Sequence, residues 1–170
     1  MKSFYFIFIF LLVGNLQSFA QKTDYKAYAV YLMSFVKYSD WGSADQKEIK
    51  VMVWGKSKVF DELSLLASKP QASGKKIVVL QSEQPSDALS HHLVFVTDSK
   101  SNQLKNLTTL CKQKPILIIA EREGLAKKGA AIHFTVSEDE DLGFEVNNKE
   151  LAVQKIKIAQ RLLQLGKTVD

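Results

Sequence analysis

The chain has 170 residues, 46% of them hydrophobic and 24% charged, with 23 Lys and Arg against 18 Asp and Glu for a formal net charge of +5. That length and balance suit one globular domain whose core holds without metals or cross-links. The basic residues are scattered, with no block of five or six, so the electrostatic footprint of a nucleic-acid binder is missing. A single cysteine, Cys111, excludes an internal disulfide even in an oxidising compartment.

At the amino terminus Lys2 precedes an apolar run from Phe4 to Val13 and a polar stretch from Gly14 to Ser18, the order of a secretory signal peptide. Ser18 and Ala20 supply small residues three before and one before a cut between Ala20 and Gln21. Residues 1–20 are therefore expected to be removed, leaving 21–170 as the domain. The apolar run covers about half of the roughly 20 residues that span a bilayer, which argues against stable membrane insertion. No cysteine follows the cut, so a lipid anchor is not expected, and the product belongs in a periplasm-like space.

Behind Asp24, a good N-cap, Tyr28, Tyr31, Leu32 and Phe35 recur at helical spacing and predict a first helix. It ends where breakers gather, in Tyr38-Ser39-Asp40-Trp41-Gly42. Four short apolar runs follow: Ile49 to Trp54, Ile77 to Leu80, Leu93 to Val96 and Ile116 to Ala120. Continuous runs of this kind predict inner strands of a parallel sheet, buried on both faces. The stripe Val59, Phe60, Leu63, Leu66, Ala67 and the stripe Leu104, Leu107, Cys111 supply crossover helices, the second of them burying the Cys111 thiol. Residues 81–92 leave room for a turn of helix at most.

Beyond residue 130 the period changes. Ile132, Phe134 and Val136 alternate with polar residues, as do Leu142, Phe144 and Val146, which predicts an antiparallel hairpin closed by the acidic turn Ser137 to Asp141. Pairing Val136 with Leu142 places Phe134 opposite Phe144 and His133 opposite Glu145. Asn147, with Glu150 three residues on, is expected to cap a final amphipathic helix with Leu151, Ile158, Leu162 and Leu165 inward. The expected fold is a single α/β domain: a mixed, mostly parallel sheet of about six strands, helices on both faces, and an antiparallel C-terminal hairpin.

Chemistry-bearing motifs are scarce. His91 and His92 point to opposite faces of a strand and only His133 accompanies them, so no metal site is expected. No nucleophile elbow occurs, Gly55 stands alone where a dinucleotide loop needs three glycines, and neither a catalytic residue nor a cofactor is assigned. The carboxyl ends of parallel strands are the usual ligand crevice, which makes Gly55, Thr97, Asp98, Glu121 and Arg122 candidate small-molecule contacts. Arg122 could fork around an anion; the competing reading of Glu121-Arg122-Glu123 is a surface salt-bridge cluster. Tyr38 and Trp41 form an aromatic corner suited either to a partner contact or to plugging the sheet end.

Taken in order, Lys26-Ala27-Tyr28 through Phe35-Val36-Lys37-Tyr38 to Trp41, Lys50 to Gly55, Ser90 to Thr97, Pro115 to Glu121, Gly129 to Phe134, Gly143 to Asn147 and Arg161 to Leu165 resemble the YfiR-like family. The resemblance spans roughly Lys26 to Gly166. It implies a non-enzymatic, exported repressor that binds the periplasmic sensor domain of an inner-membrane diguanylate cyclase, so that its release raises cyclic di-GMP. Family members also occur joined to sensor kinases. Beside the repressor stand a second reading, a periplasmic small-ligand-binding module coupled to a sensor histidine kinase or a transporter, and a third, a small hydrolase. A second copy of the chain is a further candidate partner. Two departures stand out: this chain lacks the cysteine pairs that many members carry, and Gly42 replaces the proline that usually follows the tryptophan.

Overall fold

A computed structural model describes residues 23–42 and 46–169. The expected signal peptide and its cut after Ala20 lie outside the described residues. The elements in chain order are α1 (Tyr25–Tyr38), β1 (Ser39–Asp40), β2 (Glu48–Trp54), α2 (Val59–Ala67), β3 (Lys76–Ser82), β4 (Leu93–Val96), α3 (Leu104–Leu110), β5 (Leu117–Ala120), β6 (Ile132–Val136), β7 (Leu142–Asn147), α4 (Asn148–Val153), β8 (Lys157–Ile158), α5 (Gln160–Leu163) and β9 (Lys167–Val169). A 3₁₀ segment over Pro85–Ser90 carries the β3 to β4 crossover, six residues and so about two turns where a single turn was expected.

Seven strands form the main sheet in the order β3-β2-β4-β5-β6-β7-β9. Every neighbouring pair is parallel except the β6–β7 hairpin. This is the expected mixed α/β architecture, with β9 as a strand more than the sequence pattern announced. The hairpin has the expected register, with Phe134 opposite Phe144 and His133 opposite Glu145.

Alternation along the inner strands sorts their side chains into two cores. Val51, Val53, Leu93, Phe95, Leu117 and Ile119 face α1 and α2. Met52, Trp54, Val94, Val96, Ile118 and Ala120 face α3 and the 3₁₀ segment. Both faces are thus covered by helices, which is why these strands read as unbroken apolar runs. The exception is β3, expected to be inner and found at the sheet edge, with Leu80 exposed. Its run is apolar because it packs beside α2, not because it is enclosed.

α1 starts where Asp24 accepts the Ala27 N–H at 3.0 Å. It passes directly into β1, which pairs antiparallel with β8. That pairing bears on a second correction, since the single final helix predicted behind Asn147 is instead α4, β8 and α5 in succession. Asn147 caps α4 as expected, its Oδ1 accepting the N–H of Lys149 at 3.0 Å and Glu150 at 3.2 Å. The helix then stops in a Schellman turn, Lys155 N–H bonding Ala152 C=O at 3.1 Å and Ile156 N–H bonding Leu151 C=O at 3.0 Å. Ile158 is inward from a strand and Leu162 from α5, whereas Leu165, expected inward, is 69% exposed. Helical periodicity over Leu151 to Leu165 was therefore a coincidence of spacing across a break that carries no glycine or proline.

That break has a conformational cost. Lys155 sits at φ +55° in the position that glycine usually fills, where a Cβ crowds the following carbonyl. Lys155→Gly is expected to stabilise the fold by about 1 kcal/mol, read as a raised urea midpoint with unchanged slope. Cys111 closes α3 with its side chain buried, and burial pushes its thiol pKa up to about 11. A maleimide reagent should therefore label native protein slowly, and fast only in denaturant; rapid native labelling would contradict that burial.

Candidate functional site

At the carboxyl edge of the sheet the candidate ligand contacts are held by one another. Gly55 (φ +102°) accepts no side chain, since a Cβ there would meet Thr97 Oγ1 at 2.2 Å. Thr97 Oγ1 itself donates to the Trp54 carbonyl at 2.8 Å, knitting the loops after β2 and β4 together. Lys100 then covers the spot, 2.6 Å from Glu83 and 5.8 Å above the Trp54 ring. Gly55 thus marks a close approach of two loops, and Thr97 occupies the space a ligand would need.

Asp98, Glu121 and Arg122 do come together. Arg122 Nε donates to Asp98 Oδ1 at 2.6 Å and its Nη2 to Oδ2 at 3.2 Å, while the Asp98 N–H donates to Glu121 Oε2 at 2.6 Å. One edge of the guanidinium, Nε and Nη2, is committed to Asp98, whose carboxyl pKa it holds below the ordinary range. Glu121 goes the other way, because burial raises its pKa. Burial, and then Glu121, push the Tyr28 hydroxyl up to about 12.

The aromatic corner splits into two environments. Trp41 is half-buried, donates its Nε1–H to the Val36 carbonyl at 3.1 Å, and sets its ring edge-on to His92 at 5.9 Å. Tyr38 is 44% exposed. It lies where two shallow grooves meet, one of about 370 Å³ with Val30, Met33, Leu66 and Pro70, the other of about 290 Å³ with Leu162 and Leu165. The charged residues lining them are Lys37, Lys69 and Arg161, with no carboxylate among the described residues.

A third feature has no motif in the sequence. His133, Asn147 and Gln154 are all buried on the α3 side of the sheet and all bond the backbone of one loop, Leu125 to Gly129. His133 Nδ1 accepts the Ala126 N–H at 3.2 Å, and Asn147 Nδ2 donates to the Ala126 carbonyl at 2.9 Å. Gln154 donates to the Gly129 carbonyl at 3.3 Å and accepts the Ile118 N–H at 3.1 Å. The only signal available was a polar residue standing at an inward strand position, which alternation by itself assigns to solvent.

A profile of the YfiR/HmsC-like family matches residues 25–167. The chain belongs to that family. The family is one of periplasmic regulators of diguanylate cyclases. No curated protein sequence matches it. Among solved structures it is similar to a conserved domain protein from Vibrio cholerae, at 10% identity and TM-score 0.58, over 87% of this chain and 60% of that one. It is also similar to the ABC domain from Streptococcus pneumoniae in complex with L-Trp, at 7% identity and TM-score 0.55, over 86% and 62%. The chain therefore spans about three fifths of each structure, and at these identities the likeness is one of fold. Among the described residues of this YfiR/HmsC-like chain, no helix is long and apolar enough to cross a membrane.

The loop-holding histidine carries a pH dependence. Nδ1 must keep its lone pair toward Ala126, so the proton sits on Nε2, which lies 3.2 Å from Glu145 Oε2 without hydrogen-bond alignment. Burial lowers the His133 pKa, with Glu145 opposing, and burial lowers that of His92, whose Nδ1 accepts the Lys50 N–H at 2.9 Å. A depressed histidine pKa means that the unfolded chain binds the proton first. The stability from neutral imidazole is full above about pH 6.5 and is lost as pH falls from there through the lowered folded pKa. His133→Gln should therefore cost more at pH 7.5 than at pH 5 by urea unfolding; an equal cost at both would show that His133 is not held neutral.

Proposed function

We propose that this chain represses a membrane-bound diguanylate cyclase by covering the enzyme's periplasmic sensor domain with the face centred on Tyr38. Family membership supplies the class of target, and one observation supports the face: an exposed aromatic at the junction of two apolar grooves whose charged rim is entirely basic. Tyr is a preferred hot-spot residue because it buries a large rigid surface while keeping a polar tip. The complementary surface is apolar with an acidic margin. Trp41 supports the same face from behind: with its indole N–H bonded to Val36, it fixes the turn that presents Tyr38.

Deleting the gene should raise cellular cyclic di-GMP. The double variant Tyr38→Ala with Leu165→Glu should raise it to the same level while unfolding within about 0.5 kcal/mol of wild type, because both side chains are exposed. A hot-spot loss of about 2 kcal/mol corresponds to roughly thirtyfold weaker binding of the sensor domain. A folded double variant that still represses would move the contact elsewhere. Unchanged cyclic di-GMP after deletion would remove the cyclase reading and favour the periplasmic module coupled to a sensor kinase.

A further inference from the structure

The loops after β4 and β5 line an open cavity of about 690 Å³ on the α3 side of the carboxyl edge. Its size is that of a small-molecule site, and the carboxyl ends of parallel strands are where open α/β sheets place ligands. Four cations line it: Lys105, Arg122, Lys127 and Lys128. Among the described residues none of the three lysines has a carboxylate within ion-pair distance, and Arg122 has only its Nε and Nη2 committed to Asp98.

Two further observations separate this cavity from an ordinary basic surface. Ser101 lines it and is 94% buried; its hydroxyl oxygen is sealed from solvent just beneath the cavity wall and has no partner among the described residues. A buried hydroxyl left unpaired is destabilising unless something bonds it. The opposite wall, from Leu125 to Gly129, is also well fixed, since His133, Asn147 and Gln154 each commit a buried polar atom to its backbone. A solvated surface loop does not need three such anchors. Glu123 and Glu150 also line the cavity, so the lining is basic by two charges and offers acceptors as well as donors.

We infer that this cavity binds a small polyanion, a phosphate ester or a polycarboxylate that also bears hydroxyl or amine groups. The lysines and the free edge of Arg122 take the charged oxygens, the Ser101 hydroxyl turns out of its sealed position to donate to one of them, and the two glutamates accept from the ligand's neutral groups. This does not rest on the cyclase reading, because the cavity and the Tyr38 face share no residue.

Calorimetric titration with inorganic pyrophosphate and, separately, with citrate tests it. One of the two should saturate at one per chain, and which one does distinguishes a phosphate from a carboxylate source. Lys105→Gln combined with Lys127→Gln should weaken that binding about tenfold or more, and Ser101→Ala by a smaller factor without loss of thermal stability. Lys56→Gln combined with Lys112→Gln removes the same charge elsewhere and should change it less than about twofold. Binding that does not saturate with either anion, or that falls equally in both double variants, would overturn the inference in favour of unspecific attraction to a basic surface.

Discussion

The fold depends on the burial of one aromatic helix face. Tyr28 and Phe35 of α1 sit with Phe95, Phe134 and Phe144 of the sheet, with ring centroids 4.7 Å apart for Tyr28–Phe134 and 5.1 Å for Phe35–Phe144, both edge to face. Such rings bury the most area per residue and add about 0.5 to 1.5 kcal/mol per pair beyond it. The arrangement requires the hairpin register that sets Phe134 opposite Phe144. A slip by one residue would turn both rings to the other face and leave α1 without a bed. The same ring excludes any side chain at Gly166, where a Cβ would come within 2.3 Å of Phe144 Cε2, and so lets the chain pass close enough for β9 to pair with β7. Helix, hairpin and last strand are thereby fixed by a single cluster.

The opposite face works by a different rule. There β6 and β7 offer His133 and Asn147 inward, and Gln154 follows α4, each bonding the backbone of the segment Leu125 to Gly129, while His133 Nε2 faces Glu145 without a hydrogen bond. Buried polar groups are tolerated where every one of them is bonded, and such a network specifies a single loop position more sharply than apolar contact does. An aromatic cluster on one side holds the elements together, and a polar network on the other holds one loop still.

How far the sequence reads depends on whether a signal is local. The inner strands, α1 with its Asp24 cap and the hairpin register all follow from alternation and periodicity within a dozen residues, and all were legible. Lys155 was not, because an αL residue outside glycine leaves no trace in composition, and so α4, β8 and α5 merged into one expected helix. The edge position of β3 was not legible either, because an apolar run looks the same beside a helix as beneath one. At the candidate sites the pattern placed Glu121 and Arg122 just beyond β5 at the carboxyl edge, where the structure also has them. It could not show that Asp98 takes the guanidinium, nor that Ser101 and the Lys105 and Lys127 side chains share a cavity, because these meet only through the parallel pairing of β4 with β5.

α1 carries the chain from the carboxyl edge, where Tyr28 lies near Glu121, to the amino edge, where Tyr38 leads into β1, a rise of about 20 Å for its length. The basic cavity and the Tyr38 face therefore occupy opposite edges and opposite faces of the sheet, and an occupant of one cannot compete sterically for the other. The two are nevertheless joined through a short stretch of chain. Glu150 of α4 lines the cavity, the Schellman turn at Lys155 follows, β8 pairs with β1 directly beyond Tyr38, and Arg161 with Leu165 lines the groove there. The sheet between the two surfaces is close-packed and strongly paired, and so it yields little. The segment from Glu150 to Leu165 is different: two short helices and a two-residue strand, broken by a lysine in a conformation it disfavours. That segment also sends Leu151, Ile156, Ile158 and Leu162 into the aromatic core, so it ties the cavity wall, the core and the Tyr38 groove together within sixteen residues.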